Sequence, residues 1–123
     1  MSRSFRLKPP LPAGRERDIV NACLDLLRVR QYYPVRLQSG LFKTPDDRFV
    51  RIGEPGLPDY VAVHELYPAV FVEFKRRGGK PRPEQIEKIQ ILRDVLRLAV
   101  AVVDDPAALA EFLTTHEHRS NNA

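Results

Sequence analysis

Three side chains near the middle of the chain have the residue types for metal or acid–base chemistry: Asp59, Glu73 and Lys75. Glu73 and Lys75 stand two apart in Phe71-Val72-Glu73-Phe74-Lys75. Read as a strand, that run sends Phe71, Glu73 and Lys75 to one face and Val70, Val72 and Phe74 to the other. An acid and a base on an otherwise apolar strand are costly to bury unless they pair, bind a metal or react. The earlier run Leu57-Pro58-Asp59-Tyr60-Val61-Ala62-Val63 also reads as a strand, and His64 to Pro68 as a turn between the two. Paired as a hairpin, they would bring Asp59 beside Glu73 and Lys75 at one end of a small sheet. Two carboxylates offer the hard oxygen ligands that Mg²⁺ prefers, with waters left for a substrate phosphate to replace. A lysine beside them suits charge building up on phosphoryl oxygens. The chemistry indicated is metal-assisted phosphodiester hydrolysis. The same three residues would equally make a salt-bridge network on a half-exposed sheet.

The neighbouring segments bear on that choice. Gly53-Glu54-Pro55-Gly56-Leu57-Pro58 is turn-rich and fixes how Asp59 is presented. Arg76-Arg77-Gly78-Gly79-Lys80-Pro81-Arg82 is a basic, glycine-rich loop directly after Lys75, suited to phosphate. Pro83 suits the first position of a helix to about Arg97, on which Gln85, Ile89, Leu92 and Leu96 share a stripe. Gln85 thus leads an apolar face close to the end of the Glu73–Lys75 strand.

The remaining chain supplies the scaffold. Residues 1–14 are basic and proline-rich and read as a flexible arm. Arg15 to about Arg30 is predicted as a helix with Ile19, Val20, Cys23, Leu24 and Leu27 on one stripe. Glu16 stands at the N-terminal end of that stripe, where it could serve a site or merely the helix dipole. A strand is expected over Tyr32 to Leu37, and a hairpin over Leu41–Pro45 and Arg48–Ile52. Leu98 to Val103 reads as a buried strand. Asp105 and Pro106 open a last helix with Ala108, Leu109, Phe112 and Leu113 inside, and residues 115–123 read as a flexible polar tail. Helix, strands, helix, strand, helix predicts an α/β fold with a mixed sheet flanked by helices. A single domain, residues 15–114, accounts for the core.

Composition narrows the class. Charged residues at 29% and hydrophobic ones at 43% are ordinary for a soluble globular chain. A net charge of +4 favours a polyanionic partner only weakly. The single cysteine, Cys23, excludes an internal disulfide, fits a cytoplasmic setting and reads as a buried thiol. No apolar run is long enough for a membrane span. His116 and His118 lack the second ligand pair a zinc site needs.

The Gly-X-Pro-Asp run ending at Asp59, the Glu73-Phe74-Lys75 motif and the downstream Gln85 together resemble the PD-(D/E)XK nuclease superfamily, and within it the virus-type replication-repair nuclease (VRR-NUC) group. The resemblance runs from about Glu16 to Phe112. It implies a restriction-endonuclease-like core and Mg²⁺- or Mn²⁺-dependent DNA cleavage. It implies that Asp59 and Glu73 hold the metal and that Lys75 is the catalytic lysine; the backbone carbonyl of Phe74, between Glu73 and Lys75, could be a further ligand. Gln85 matches the glutamine on the helix after the motif strand, and Glu16 the acidic position of the first helix. Arg76, Arg77, Lys80, Arg82, Arg51 and Lys43 are the candidate DNA contacts. Stand-alone members of this size act as homodimers on branched DNA such as four-way (Holliday) junctions, in bacterial or phage-infected cells. The sequence departs from the family's frequent glycine before the last core strand, where Val95-Leu96-Arg97 stands. Two other readings stay open: the same chemistry on flap, nicked or linear nucleic acid, and a non-catalytic nucleic-acid-binding module on the same fold.

Overall fold

The computed structural model describes residues 16–37, 40–75 and 80–122. The expected arm, residues 1–14, lies outside them. The first helix, α1 (Glu16–Val29), buries Cys23, Leu24 and Leu27, which recur at helical spacing. It ends where Gln31 takes a left-handed conformation (φ 69°) and Tyr32 N–H reaches back to the Leu27 carbonyl, 2.8 Å away. Six strands follow: β1 (Tyr33–Arg36), β2 (Gly40–Lys43), β3 (Phe49–Ile52), β4 (Tyr60–Val63), β5 (Val70–Phe74) and β6 (Ala99–Val103). Helix α2 (Pro83–Gln90) lies between β5 and β6, and α3 (Pro106–Asn121) closes the described chain.

The main sheet runs β1-β4-β5-β6, with β5 and β6 parallel and the other pairs antiparallel. The parallel pair needs a crossover, which α2 provides. This is the mixed α/β architecture expected. Alternation along the strands sets the core. Ala62, Val70, Val72, Phe74, Ala101 and Val103 face α1 and α3 and pack with Cys23, Leu27, Leu109 and Leu113. The short hairpin β2–β3 forms its own two-stranded sheet. Among the described residues no helix is long and apolar enough to cross a membrane.

Two expectations need correction. The helix after Pro83 does not run regularly to Arg97. Ile91–Val95 is a π-helical turn, in which Leu96 N–H bonds the Ile91 carbonyl five residues back at 3.0 Å. The extra residue shifts the phase. Leu92 stays buried, whereas Leu96, four residues on, is 55% exposed and drops off the expected stripe. The segment expected as a tail from residue 115 is helical through Asn121. Its polar side chains find partners far along the chain. Glu117 accepts from Arg30 and from the Tyr32 hydroxyl, each at 2.9 Å, and His116 Nε2 lies 2.8 Å from the Pro68 carbonyl oxygen. Burial, and to a lesser degree the Glu117 carboxylate, push the Tyr32 hydroxyl pKa well above its ordinary value. At the start of α3, Asp105 caps as expected, accepting from Ala108 N–H at 2.7 Å.

Candidate active site

Pairing of β4 with β5 sets Tyr60 opposite Val72 and Val61 opposite Phe71. Continued by one residue, that register places Asp59 beside Glu73 on the same face. The ladder itself stops short of β5's end, and a side chain takes over. Asp59 Oδ2 accepts from Phe74 N–H at 2.9 Å. On its other side Asp59 stays in line with β1, its carbonyl accepting from Leu37 N–H at 2.8 Å. The chain past β5 is held as well, since Lys75 N–H bonds the Val103 carbonyl at 2.9 Å. Backbone bonds thus fix the positions from which Asp59, Glu73 and Lys75 project.

Glu73 is only 6% exposed, the one buried charged residue among those described. A buried carboxylate is costly unless donors meet it. Gln85 is one such donor, its Nε2 lying 2.7 Å from Glu73 Oε2. The other end of the same amide accepts from Arg82 N–H at 3.0 Å, closing a capping box at the start of α2. The two bonds demand opposite polarities, so the amide can point only one way. Gln85 therefore ties the helix start to the carboxylate.

The loop before Asp59 braces the same helix. Gly56 has φ +86°, and a Cβ built there would lie 2.3 Å from the Glu84 carbonyl oxygen. Only glycine allows the loop backbone to press this closely on the first turn of α2. Lys88 of α2 then reaches back to Glu54 at 2.7 Å and holds the Glu54 carboxyl below its usual range.

A cleft of about 550 Å³ opens between the end of the sheet and α2. Asp59, Glu73, Phe74, Lys75, Lys80, Arg82 and Gln85 line it, so seven of the residues proposed from sequence converge there. Sequence reasoning missed Ile86, Ile89, Gln90, Arg93 and Val102 on its walls. The helical spacing of Ile86, Ile89 and Arg93 was the signal available for three of them. Arg93 is anchored, donating to the Val100 carbonyl at 2.6 Å, and Arg82 is ion-paired with Glu84 at 3.3 Å. Among the described lining residues, four cations face two carboxylates.

Other proposed residues fall elsewhere. Lys43 and Arg51 sit on the β2–β3 hairpin and do not line the cleft, and Lys43 pairs with Asp47 at 3.2 Å. Arg76 and Arg77 lie outside the described residues. Glu16 opens α1, and its side chain also lies outside what is described. Cys23 is fully buried, and burial, with a smaller effect from Asp105, raises its thiol from 9.0 to about 11.

A second cleft, of about 360 Å³, lies on the α1 side of Asp59. Arg17, Val20, Asn21, Arg36, Asp59, Tyr60 and Phe74 line it. Asp59 and Phe74 are therefore a wall common to both clefts.

Among the described residues, no group of three or more His, Cys, Asp and Glu side chains stands ready for a metal. Mg²⁺ needs less from protein, commonly one or two carboxylates with water and substrate phosphate completing its shell. Asp59 and Glu73, two carboxylates converging on one basic cleft, have that donor chemistry. Neither a model of a known protein family nor a curated protein matches the chain.

Proposed function

We propose that this protein is a metal-dependent structure-selective DNA endonuclease of the PD-(D/E)XK type, with the residue pattern of the VRR-NUC group. One observation carries the reading: Asp59, Glu73, Lys75 and Gln85, scattered over 27 positions of sequence, line a single basic cleft. A salt-bridge network would leave those charges on an open sheet face. Here Glu73 is buried, and a dedicated amide on another element holds it.

The roles come from the motif match, and the geometry supports them. Asp59 and Glu73 would hold Mg²⁺ or Mn²⁺, with the Phe74 carbonyl as the further candidate ligand. A metal bound there would supply a Lewis acid and a more acidic water. Phe74 N–H fixes Asp59, and Gln85 fixes Glu73, so neither carboxylate has to reorganise during reaction. Lys75, exposed at the end of β5, brings a cation to the same cleft, where it would offset charge on the phosphoryl oxygens. In the reaction a water oxygen bonds to phosphorus, the bond to the leaving sugar oxygen breaks, and that oxygen takes up a proton. Lys80 and Arg82 on the rim, with Arg76 and Arg77 of the same loop, are the proposed DNA contacts.

Branched DNA as substrate, a homodimer as the working unit and a cytoplasmic location rest on the residue resemblance. A two-fold dimer would set two such clefts on symmetric strands of a four-way junction. The test is cleavage of a fixed four-way junction beside a matched linear duplex, in Mg²⁺, Mn²⁺ or EDTA, with Lys75→Ala as control. Metal-dependent cuts confined to the junction and lost in the variant are expected. Equal cutting of both substrates would remove the junction preference, and no metal-dependent cutting of either would remove the proposed activity.

A further inference from the structure

The cleft on the α1 side of Asp59 has no part in the roles assigned above, yet it shares a wall with the larger cleft. Three separate elements build it: α1 supplies Arg17, Val20 and Asn21, β1 supplies Arg36, and Tyr60 and Phe74 come from the β4–β5 pair. Arg17 and Asn21 are four apart and so share one side of the helix. Arg36 stands opposite Tyr60 in the ladder, one residue from Asp59. Among the described residues no ion pair or hydrogen bond engages the Arg17 or Arg36 guanidinium, in contrast to Arg28 and Arg30, which pair with Asp25 and Glu117. Two guanidinium groups that no described residue engages, and an amide, thus border one hollow. Val20 and the Tyr60 and Phe74 rings, edge to face with centroids 5.8 Å apart, give it an apolar side.

From this we infer that the α1-side cleft binds the nucleotide adjoining the scissile phosphate, with Arg17, Arg36 and Asn21 on its phosphate and Val20 and Tyr60 against its sugar or base. The inference rests on the nuclease reading and extends it. Guanidinium forks match phosphate oxygens in geometry as well as charge, and an aromatic wall suits a sugar or base face. Asp59 is the described carboxylate of this cleft, and two arginines outweigh it. A strand lying across the Asp59–Phe74 wall would occupy a basic cleft on each side of the bond to be cut. That arrangement suits cleavage inside a strand. A nuclease trimming ends would need only one of the two clefts.

The test uses the full chain. Arg17→Gln/Arg36→Gln is compared with wild type and with Arg119→Gln, a charge control on α3 outside both clefts. All three sites are exposed, so the variants should fold, which melting curves check. The first readout needs no catalysis: affinity for a labelled single-stranded oligonucleotide in EDTA across a salt series. The double variant should bind on the order of tenfold more weakly, a loss ordinary for one charge-assisted phosphate contact. Its salt slope should fall by about 0.7, the value for one phosphate released on a single strand. The second readout is cleavage of a substrate with one methylphosphonate next to the cut. That neutral linkage should slow wild type on the order of tenfold and leave the double variant no slower than on normal substrate. Wild-type affinity and slope in the double variant would overturn the inference even if the protein cuts DNA. A wild type that cuts nothing, with binding still lost in the double variant, would leave the strand-binding cleft standing and remove the nuclease reading.

Discussion

Gln85 is the residue on which helix and carboxylate both depend, and its removal has a calculable cost. Gln85→Ala deletes the 2.7 Å bond to Glu73 and the 3.0 Å cap on Arg82 N–H. A hydrogen bond to a charged group contributes roughly 1.5–3 kcal/mol. A lost helix cap costs about 1 kcal/mol. Water entering the open cleft solvates part of the Glu73 carboxylate exposed in the variant, which holds the first loss near the lower end of its range. The expected sum is about 2–3 kcal/mol, or a drop of roughly 10 °C in Tm for a domain of this size. Gln85→Glu separates the two contributions, since it keeps an oxygen for Arg82 N–H but sets a carboxylate against Glu73. It should be destabilised by at least about 2 kcal/mol even with the cap intact. Urea unfolding of both variants, and of Glu84→Gln as an exposed neighbour, is the assay. Combining Gln85→Ala with Glu73→Gln should recover about 1 kcal/mol or more of coupling in a double-mutant cycle. If Gln85→Ala and Gln85→Glu both unfold within about 0.5 kcal/mol of wild type, the span of an ordinary surface substitution, the proposed tie between α2 and Glu73 is wrong.

Other outcomes follow from the same coordinates. Gly56→Ala puts a methyl 2.3 Å from the Glu84 carbonyl oxygen at a φ of +86°, so it should cost more than about 2 kcal/mol and lower any cleavage activity, read by melting and rate together. Arg97 has φ +58°, a left-handed conformation that favours glycine, so Arg97→Gly should leave stability unchanged or raise it by up to about 1 kcal/mol in urea melts. Cys23, with its thiol raised from 9.0 to about 11, should react with a thiol reagent at about pH 8 only as fast as the protein unfolds. Because the folded value is the higher one, its contribution to stability is complete below pH 9.0 and is lost between there and about 11, which melting curves across that range should register.

The candidate site was legible in sequence largely because strand alternation is local. Glu73 and Lys75 stand two positions apart, and that spacing alone sets them on one face with Val72 and Phe74 on the other. Gln85 was legible because Pro83 marks a helix start and fixes the phase from there. What depends on distant partners was not. Residues 114–121 look polar and unstructured until Arg30 and Tyr32, 87 and 85 positions away, are seen to meet Glu117. The π-helical turn left no pattern in residues 91–95, and it moved Leu96 off the stripe that local spacing gave it. Arg17 and Arg36 share a cleft because β1 pairs with β4 and α1 packs beside them, a non-local arrangement that charge counting along the chain cannot show. Lys43 and Arg51, picked for charge alone, sit on a separate hairpin, and neither lines the cleft around Glu73.

The most direct measurement is the single-turnover cleavage rate of Asp59→Asn and Glu73→Gln on a junction that wild type cuts with Mg²⁺. Both substitutions are isosteric. The amide introduced by Asp59→Asn would still offer an oxygen to Phe74 N–H, so charge is removed while the bond that positions the side chain can remain. Losses of about a thousandfold or more in each folded variant are predicted, the scale expected when a group acting on the transition state is removed. Rates within about threefold of wild type in either variant, less than 1 kcal/mol of barrier by order of magnitude, would contradict a role for that carboxylate in the chemistry.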